Sequence, residues 1–314
     1  MNKQQAENRI IKLREIIDDY RYHYHVLNES KMSEAAADSL KHELTQLEEQ
    51  FPEFITSDSP SQRVSGEPLP GFKQLKHSSR MLSLNDVFDQ TEMLAWENRI
   101  KKLLPSVTAL EYFADIKMDG LACALIYQDG SLVQGITRGD GFVGEDVTAN
   151  VRTIESIPLK LRKSSNTEKF LTGRTEIRGE IVMYKQDFNN LNKQREAEGK
   201  PLFANPRNTA AGTIRQLDPK LVAERKLYFR GYDLQRDNKE EIKSYKQAYE
   251  IMNSLGFLVN TEAPVLNSVD KVMEYANTWE TKRHDLPFNT DGLVVKVNDL
   301  DVYRELGVVG KAPR

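Results

Sequence analysis

Cysteine is nearly absent from this chain: Cys123 stands alone among 314 residues. A single thiol excludes an internal disulfide and any zinc site built from a cysteine cluster. Cys123 falls in the apolar run Leu121-Ala-Cys-Ala-Leu-Ile126, where packing in a core is its expected role. A basic excess is missing too. The formal net charge is −3, whereas a protein that mainly grips a polyanion usually carries surplus Lys and Arg. Nucleic-acid affinity is therefore local, or belongs to a part outside this sequence. No apolar run is long enough to span a bilayer, and no charged-then-apolar leader opens the chain. A soluble cytoplasmic protein is the expectation. None of the five histidines falls in a metal-binding spacing; His23 and His25 would diverge on a helix. There is no Gly-Lys-Ser/Thr phosphate loop and no Gly-x-Gly-x-x-Gly fingerprint after the first strand, which disfavours a P-loop enzyme and a Rossmann dehydrogenase. Neither an internal repeat nor a low-complexity tract is visible.

What is present suffices for one large domain or two ordinary ones, at 39% hydrophobic and 29% charged residues. Residues 2–27 read as an amphipathic helix, with Ile10, Leu13, Ile17, Tyr20 and Tyr24 at helical spacing. Asn28 to Met32 breaks it. Ser33 is the expected N-cap of a second helix carrying Leu40, Leu44 and Leu47 on one face, ended by Phe51-Pro52. This gives a helical hairpin over 1–52, suited to docking on something larger. Residues 53–80, with Pro60, Gly66, Pro68, Pro70 and Gly71, read as a loop-rich linker. The remainder, 81–314, reads as one domain. Asp89-Gln-Thr-Glu92 is a capping-box pattern for a helix to about Leu104. Leu121–Tyr127 and Ser131–Thr137 flank Gln128-Asp-Gly130 as a β-hairpin. Further strands are expected at Arg174–Tyr184, Lys226–Leu234 and Gly292–Val297. Helices are expected at Asp187–Glu198, Glu240–Leu255 (with Gly256 as its C-terminal cap) and Ser268–Thr281. The hairpin argues for an α+β fold with mainly antiparallel sheets.

Chemistry concentrates in a few stretches. Lys117-Met-Asp-Gly120 stands between two apolar, strand-like runs, Tyr112–Ile116 and Leu121–Tyr127. A lysine at a strand end can be a nucleophile once its amine is unprotonated. Roughly one chain in ten of this length would contain such a tetrapeptide by chance, so the motif needs company. Arg138-Gly-Asp-Gly-Phe-Val-Gly-Glu-Asp146 is either a loop whose backbone approaches a ligand or a flexible surface loop. Glu180 in Arg178-Gly-Glu180 either meets a ribose or a metal-bound water, or faces solvent from a strand. Asn205-Pro206 should stop one element, with a small-residue helix from near Asn208. Arg207 at its start and Arg215 within it make an anion site plausible. Lys296, in Asp291-Gly-Leu-Val-Val-Lys296, is either a second lysine of the same cleft or an exposed strand lysine. In the first case its charge would favour the free amine of a neighbouring lysine.

Taken together, these stretches resemble the NAD+-dependent DNA ligases of bacteria, along nearly the whole chain. Tyr24-His25 and Asp38 resemble the helical module that docks the nicotinamide mononucleotide half of NAD+. Ser59-Pro-Ser-Gln-Arg-Val64, His77 and Met81-Leu-Ser-Leu84 resemble the lead-in to the nucleotidyltransferase core. Lys117-Met-Asp-Gly120, Arg138-Gly-Asp-Gly141 with Gly144-Glu-Asp-Val-Thr148, Arg178-Gly-Glu180, Asn205-Pro-Arg-Asn208 with Ala210-Ala-Gly212 and Arg215-Gln-Leu-Asp218, and Asp291-Gly292 with Lys296 follow in family order. The resemblance implies a nucleotidyltransferase (ATP-grasp-like) core preceded by the helical module. It implies that Lys117 attacks the adenylyl phosphorus of NAD+, forming lysyl-AMP and releasing nicotinamide mononucleotide, the first step of nick sealing in replication and repair. Catalytic roles then fall to Lys117, Asp119, Glu180 and Lys296. Contact with NAD+ falls to Tyr24, His25, Glu34, Asp38, Ser83, Leu84, Asp115, Arg138, Glu180, Arg207, Arg215, Tyr232 and Lys296. Among these, Glu180 would meet the ribose, Tyr232 would stack on adenine, and Arg207, Arg215 and Lys296 would face phosphates. Mg2+ (or Mn2+) would assist, with no metal ligand identifiable. Partners would be NAD+ and, for a full-length enzyme, nicked duplex DNA; a monomer is expected.

The chain departs from the family pattern in places. Glu34 and Ala37 stand where Asp and Tyr are usual, Asp115 replaces Glu, and Arg80 replaces a common proline. Loss of an aromatic platform at Ala37 leads to an expectation of weaker or differently posed NAD+ binding, testable with Ala37→Tyr. Leu306 to Arg314 stops short of the family's last lysine motif, OB-fold, zinc finger and DNA clamp. That leaves an excised fragment (the favoured reading) or a naturally short form, expected to hold NAD+ but to seal nicks poorly. The competing readings are an ATP- or GTP-using covalent nucleotidyltransferase and a degenerate nucleotide-binding module.

Overall fold

The computed structural model describes residues 2–27, 29–64, 70–107, 109–238 and 241–314. Asn28, Gly66, Pro68 and Glu240, used above to place a break, a linker and a helix start, lie outside the described residues.

The chain opens with helix α1 (Lys3–His25) and helix α2 (Glu34–Gln50). Asn2 and Gln5 form a reciprocal capping box at the start of α1, and the Ser33 hydroxyl accepts from the Ala36 amide at the start of α2. Ile10, Leu13, Ile17, Leu44 and Leu47 form the seam between them. Arg9 clamps Glu43 with two hydrogen bonds of 2.7 and 2.6 Å, and Arg14 pairs with the buried Glu48. The hairpin sits on the rest of the chain through α1. Arg21 donates to the Glu155 carbonyl at 2.9 Å, and the Arg162 guanidinium stacks on the Tyr22 ring at 3.7 Å. Arg63 fastens the connection by donating to the carbonyls of Arg152, Ile154 and Ile157.

A 3-10 turn at Pro52–Phe54 leads into the stretch expected as a linker, whose described residues hold a second such turn at Pro60–Gln62 and strand β1 (Gln74–Lys76). After it come α3 (Gln90–Leu103), β2 (Tyr112–Met118), β3 (Leu121–Gln128), β4 (Ser131–Thr137), β5 (Val143–Glu145), α4 (Thr148–Val151) and β6 (Arg174–Val182). The second half holds α5 (Lys185–Ala197), α6 (Pro206–Ile214), α7 (Pro219–Ala223), β7 (Tyr228–Arg236), α8 (Tyr245–Ser254), β8 (Val265–Leu266), α9 (Val269–Lys282), β9 (Thr290–Val297), α10 (Leu300–Leu306), β10 (Val308–Val309) and β11 (Ala312–Pro313).

Two antiparallel sheets dominate, in the orders β4-β3-β6-β7 and β8-β2-β9. The larger core lies on the four-stranded sheet and includes Leu125, Tyr127, Ile177, Phe229 and Phe257, with Cys123 fully buried in it. A second core, with Met93, Ile100, Tyr112, Val272 and Val297, fills the space between α3, α9 and the outer face of β2 and β9. The α+β architecture read from the sequence is therefore the observed one. The Asp129-Gly130 turn has φ of 51° and 79°, the two left-handed residues a two-residue hairpin needs. Among the described residues no helix is long and apolar enough to cross a membrane.

Three local expectations are corrected. Asn205 does not stop an element. Its side chain accepts from the Asn208 amide and caps α6, with Pro206 in the first turn, so the helix starts earlier than expected. Arg215 is the residue after that helix, not within it. Lys117 lies inside β2, because strand pairing with β9 continues through Met118.

Candidate active site

Strand alternation sets up the site. Phe113, Asp115 and Lys117 share one face of β2, while Tyr112, Ala114, Ile116 and Met118 share the other. On β9, Lys296, Val294 and Gly292 pair with Phe113, Asp115 and Lys117 respectively. Glu180 projects from β6 beside this face. Its charge environment comprises Arg207, Lys117, Asp119 and Arg138.

The β2–β9 ladder slips at Lys117, which faces Gly292 while Met118 faces Thr290. Asp291 is the extra residue of that bulge, and Gly292 adopts φ 138° beside it. A bulge re-aims its side chain. Here it brings the Asp291 carboxylate 2.9 Å from the Lys117 amine. Arg207, from the first turn of α6, donates to Asp119 at 2.9 Å and lies 3.8 Å from Asp291. Two cations and two carboxylates thus form a nearly neutral, partly exposed ring. Gly120 is required by close approach: a Cβ there would lie 2.3 Å from the Ile181 carbonyl oxygen and 2.9 Å from Glu180 Cγ. Glu180 is half-buried under the ring. Burial pushes its carboxyl up to about 8, with Arg207 and Lys117 pulling the other way.

The glycine-rich loop is held in place rather than loose on the surface. It is clamped on the segment before α3: the Met81 amide donates to Gly141 and the His77 amide to Phe142, both at 2.9 Å. A Cβ on Gly139 would fall 1.8 Å from the Val143 carbonyl oxygen. The glycines therefore serve a tight fold-back that aims Arg138 across the face, where it donates to Ser83 at 2.6 Å. The same segment is gripped from below. Arg178 donates to the Ser79 and Arg80 carbonyls and pairs with the buried Glu176. Arg80 itself donates to the Gly310 carbonyl and lies over Phe142.

Lys296 is half-buried rather than exposed, and it lines a groove that also touches Lys117. Its amine donates to the Tyr232 carbonyl at 3.1 Å and sits 4.3 Å from the Tyr245 ring centre and 5.6 Å from that of Tyr232. Burial lowers its pKa, with Asp233 and Asp115 opposing. Tyr232 is the bulged residue of β7, and its carbonyl is thereby turned to the lysine. Asp115 is engaged on both oxygens. It accepts from Asn260 at 2.9 Å, from the Ile116 amide at 2.8 Å, and from the Tyr249 hydroxyl. Arg215 pairs with Glu145 at 2.8 Å. Leu84 lines a groove of about 870 Å³ that also touches Lys117 and Lys296 and runs between α3, α9 and β9.

The structure thus gathers Lys117, Asp119, Glu180, Arg207, Arg138 and Ser83 at one place. Lys296, Tyr232 and Asp115 lie further along the same face. The module residues form a separate cluster: Tyr24 donates to Glu34 at 2.5 Å, and the His25 ring meets the Tyr24 ring edge-on at 4.9 Å. Burial pulls the His25 pKa down to about 4 against Glu155. Among the described residues neither these three nor Asp38 makes a hydrogen bond or ion pair with the Lys117 ring. Sequence reading gave no role to Asp291, Tyr245, Tyr249 or Asn260. The Thr290-Asp-Gly292 triplet is a bulge signal, and Tyr245 and Tyr249 sit one helical turn apart. Asn260 carries no local signal.

Residues 69–314 match the family description "NAD-dependent DNA ligase adenylation domain", and residues 3–65 match "DNA ligase-like, N-terminal NAD+-binding domain". Relatives named DNA ligase include those of Carboxydothermus hydrogenoformans, 45% identical over 100% of this chain and 46% of that one, and Desulfitobacterium hafniense, 44% identical over 98% and 45%. A third, from Chloroflexus aggregans, is 44% identical over 100% of this chain and 47% of the relative. The chain therefore spans about half the length of the curated relatives it matches. Among solved structures, the ligase domain of M. tuberculosis LigD aligns at TM-score 0.35 and 14% identity, over 60% of this chain and 49% of that one.

Proposed function

The chain belongs to the NAD-dependent DNA ligase family, and we propose that Lys117 is its nucleophile toward NAD+. Its Nζ forms the bond to the adenylyl phosphorus, the bond from that phosphorus to the bridging oxygen breaks, and nicotinamide mononucleotide leaves with the electron pair. The Lys117 ammonium must first part from Asp291 and lose a proton. Arg207 and Arg138 are the cations placed to offset phosphate charge, and positioning plus charge neutralisation carry most of such a transfer. Asp119 fixes Arg207. Glu180 is the polar group under the ring, suited to a ribose hydroxyl. Lys296 and Tyr232 form the far wall, toward the base. The observation that carries this reading is the convergence of Lys117, Asp119, Glu180 and Arg207 on one cleft.

A divalent metal fits less directly. Among the described residues no group of three His, Cys, Asp or Glu side chains is arranged to hold one. Asp119 and Asp291 are each already paired with a cation. Mg2+ or Mn2+ would need substrate phosphate oxygens as further ligands, so no step is routed through it. We extend the reading to the longer proteins of the family: AMP passes to the 5′-phosphate of nicked duplex DNA in replication and repair, in the cytoplasm, by a monomer.

Intact mass after incubation with NAD+ and Mg2+ tests the core of this. Wild type should gain one AMP with NAD+ but not with ATP, and Lys117→Ala should gain none. Absence of the adduct, both in the protein as purified and after NAD+, refutes the reading. Labelling by ATP instead would move the chain to the ATP-using nucleotidyltransferases.

A further inference from the structure

The face of the helical module that carries Tyr24 and His25 contains a residue given no role so far. Tyr20 is one helical turn before Tyr24, and the two rings stack with centroids 5.5 Å apart and planes 24° from parallel. Tyr20 is 5% exposed. Its hydroxyl lies near enough to Glu34 and Asp38 for both charges to act on it. Glu34, Ala37 and Asp38 share one face of α2 by helical spacing. Ala37, between the two carboxylates, is only 2% exposed. That face is therefore already covered, and the small side chain at 37 leaves no open space above it.

We propose that Tyr20 is a positioning residue for NAD+: its buried ring, stacked on Tyr24, fixes that ring and the edge-on His25 for the cationic nicotinamide ring. The chemistry suits that ligand. An exposed aromatic face beside the Glu34 and Asp38 carboxylates favours a flat, positively charged ring. Holding Tyr24 before the ligand arrives avoids the ordering cost at binding. Ala37→Tyr meets a packing demand of its own: position 37 is buried, so a tyrosine there must displace whatever covers it. This inference rests on the NAD+ reading above and adds a residue to it.

The test is lysyl-AMP formation followed against NAD+ concentration, giving a half-saturation value and a limiting rate. Tyr20→Leu should raise half-saturation roughly two- to tenfold, the range expected for losing one aromatic pair, with the limiting rate within about twofold. Tyr20→Phe should match wild type. Ala37→Tyr alone should lower the melting temperature by overpacking a buried position. Unchanged half-saturation in Tyr20→Leu overturns the proposal. So does a Tyr20→Phe variant whose half-saturation rises two- to tenfold above wild type. That last outcome still decides the matter if Tyr20→Leu does not fold. Wild type forming no lysyl-AMP from NAD+ overturns the functional reading itself and this proposal with it, which a comparison of wild type with Lys117→Ala distinguishes from failure at Tyr20 alone.

Discussion

Glu180→Gln should remove a large part of the pH dependence of stability between roughly pH 4.5 and 8. Burial raises the folded-state pKa of Glu180 to about 8, against an ordinary value of 4.5. Within that window the folded protein holds a proton that the unfolded chain has lost. Stability must then fall as pH rises through the window and level off above it. The full gap corresponds to on the order of 4–5 kcal/mol. Glu180 is only half-buried and faces Arg207, Lys117 and Arg138, so solvent and cations screen it, and about 2 kcal/mol is the expected loss. Glutamine keeps the size and one donor but cannot ionise. Urea unfolding at about pH 5.5, 7 and 8.5 measures the difference directly, provided the slope stays constant. Wild type should lose stability across the series relative to the variant. If both fall in parallel, to within about 0.5 kcal/mol, the carboxyl is not held in its neutral form and the account of the cleft floor is wrong.

Other outcomes follow from the same geometry. His25 has its folded pKa pulled down to about 4, so between there and its ordinary 6.5 the unfolded chain binds the proton. Stability is then lost as pH falls through that window, by an amount of order 2 kcal/mol after screening, and melting temperatures of His25→Phe should lack that acid-side loss. Gly120→Ala puts a methyl 2.3 Å from backbone at Ile181; urea unfolding should show a cost of about 1–3 kcal/mol, and lysyl-AMP formation should slow further because Glu180 is pushed. Arg162→Ala removes the stack on Tyr22 and the contact with Asp19. Amide exchange in α1 should then quicken by about 1–2 kcal/mol of docking energy, while β6 is unchanged.

Local features were legible in the sequence because their causes are local. The Asp129-Gly130 turn, the Ser33 cap, the Asp89 cap and the left-handed Gly256 each depend on neighbours within a few residues. Asp89 accepts from the Glu92 amide as expected, although Glu92 reaches back to the Phe88 amide rather than to Asp89. The order of strands was legible as alternation, but their partners were not. Lys117 meets a carboxylate 174 residues away, and Asp115 is held from 134 and 145 residues away. The glycines of 139–144 look like a ligand loop by composition, yet Gly139 and Gly144 answer to close approach within the fold-back itself, at Val143 and Thr137, while Gly141 meets the Met81 carbonyl, a contact that no local pattern encodes. Lys296 was read as a cleft lysine or an exposed one, and its own strand carries no signal of the tyrosines around it, which come from β7 and α8.

The Lys-x-Asp-Gly tetrapeptide carries weight here because each of its three fixed residues answers to a different constraint. Lys117 is on the cleft face by strand alternation, and any residue at that position would point there. Asp119 sits just past the strand, its amide donating to the Asn289 carbonyl at 3.0 Å, and its carboxylate fixes Arg207 at the start of a capped helix. Gly120 is set by contact with β6, the strand that carries Glu180. A chance occurrence would satisfy one of these demands, and only the fold can satisfy all three together. The ring also limits what the lysine does at rest. With Asp291 at 2.9 Å the amine is a paired cation, and on the proposed chemistry it becomes a nucleophile only after that contact breaks. A phosphate entering between Lys117 and Arg207 meets the same two cations that Asp291 now approaches. Seating the substrate and loosening the lysine from its carboxylate are therefore demands on one small space, built by a single bulge in β9.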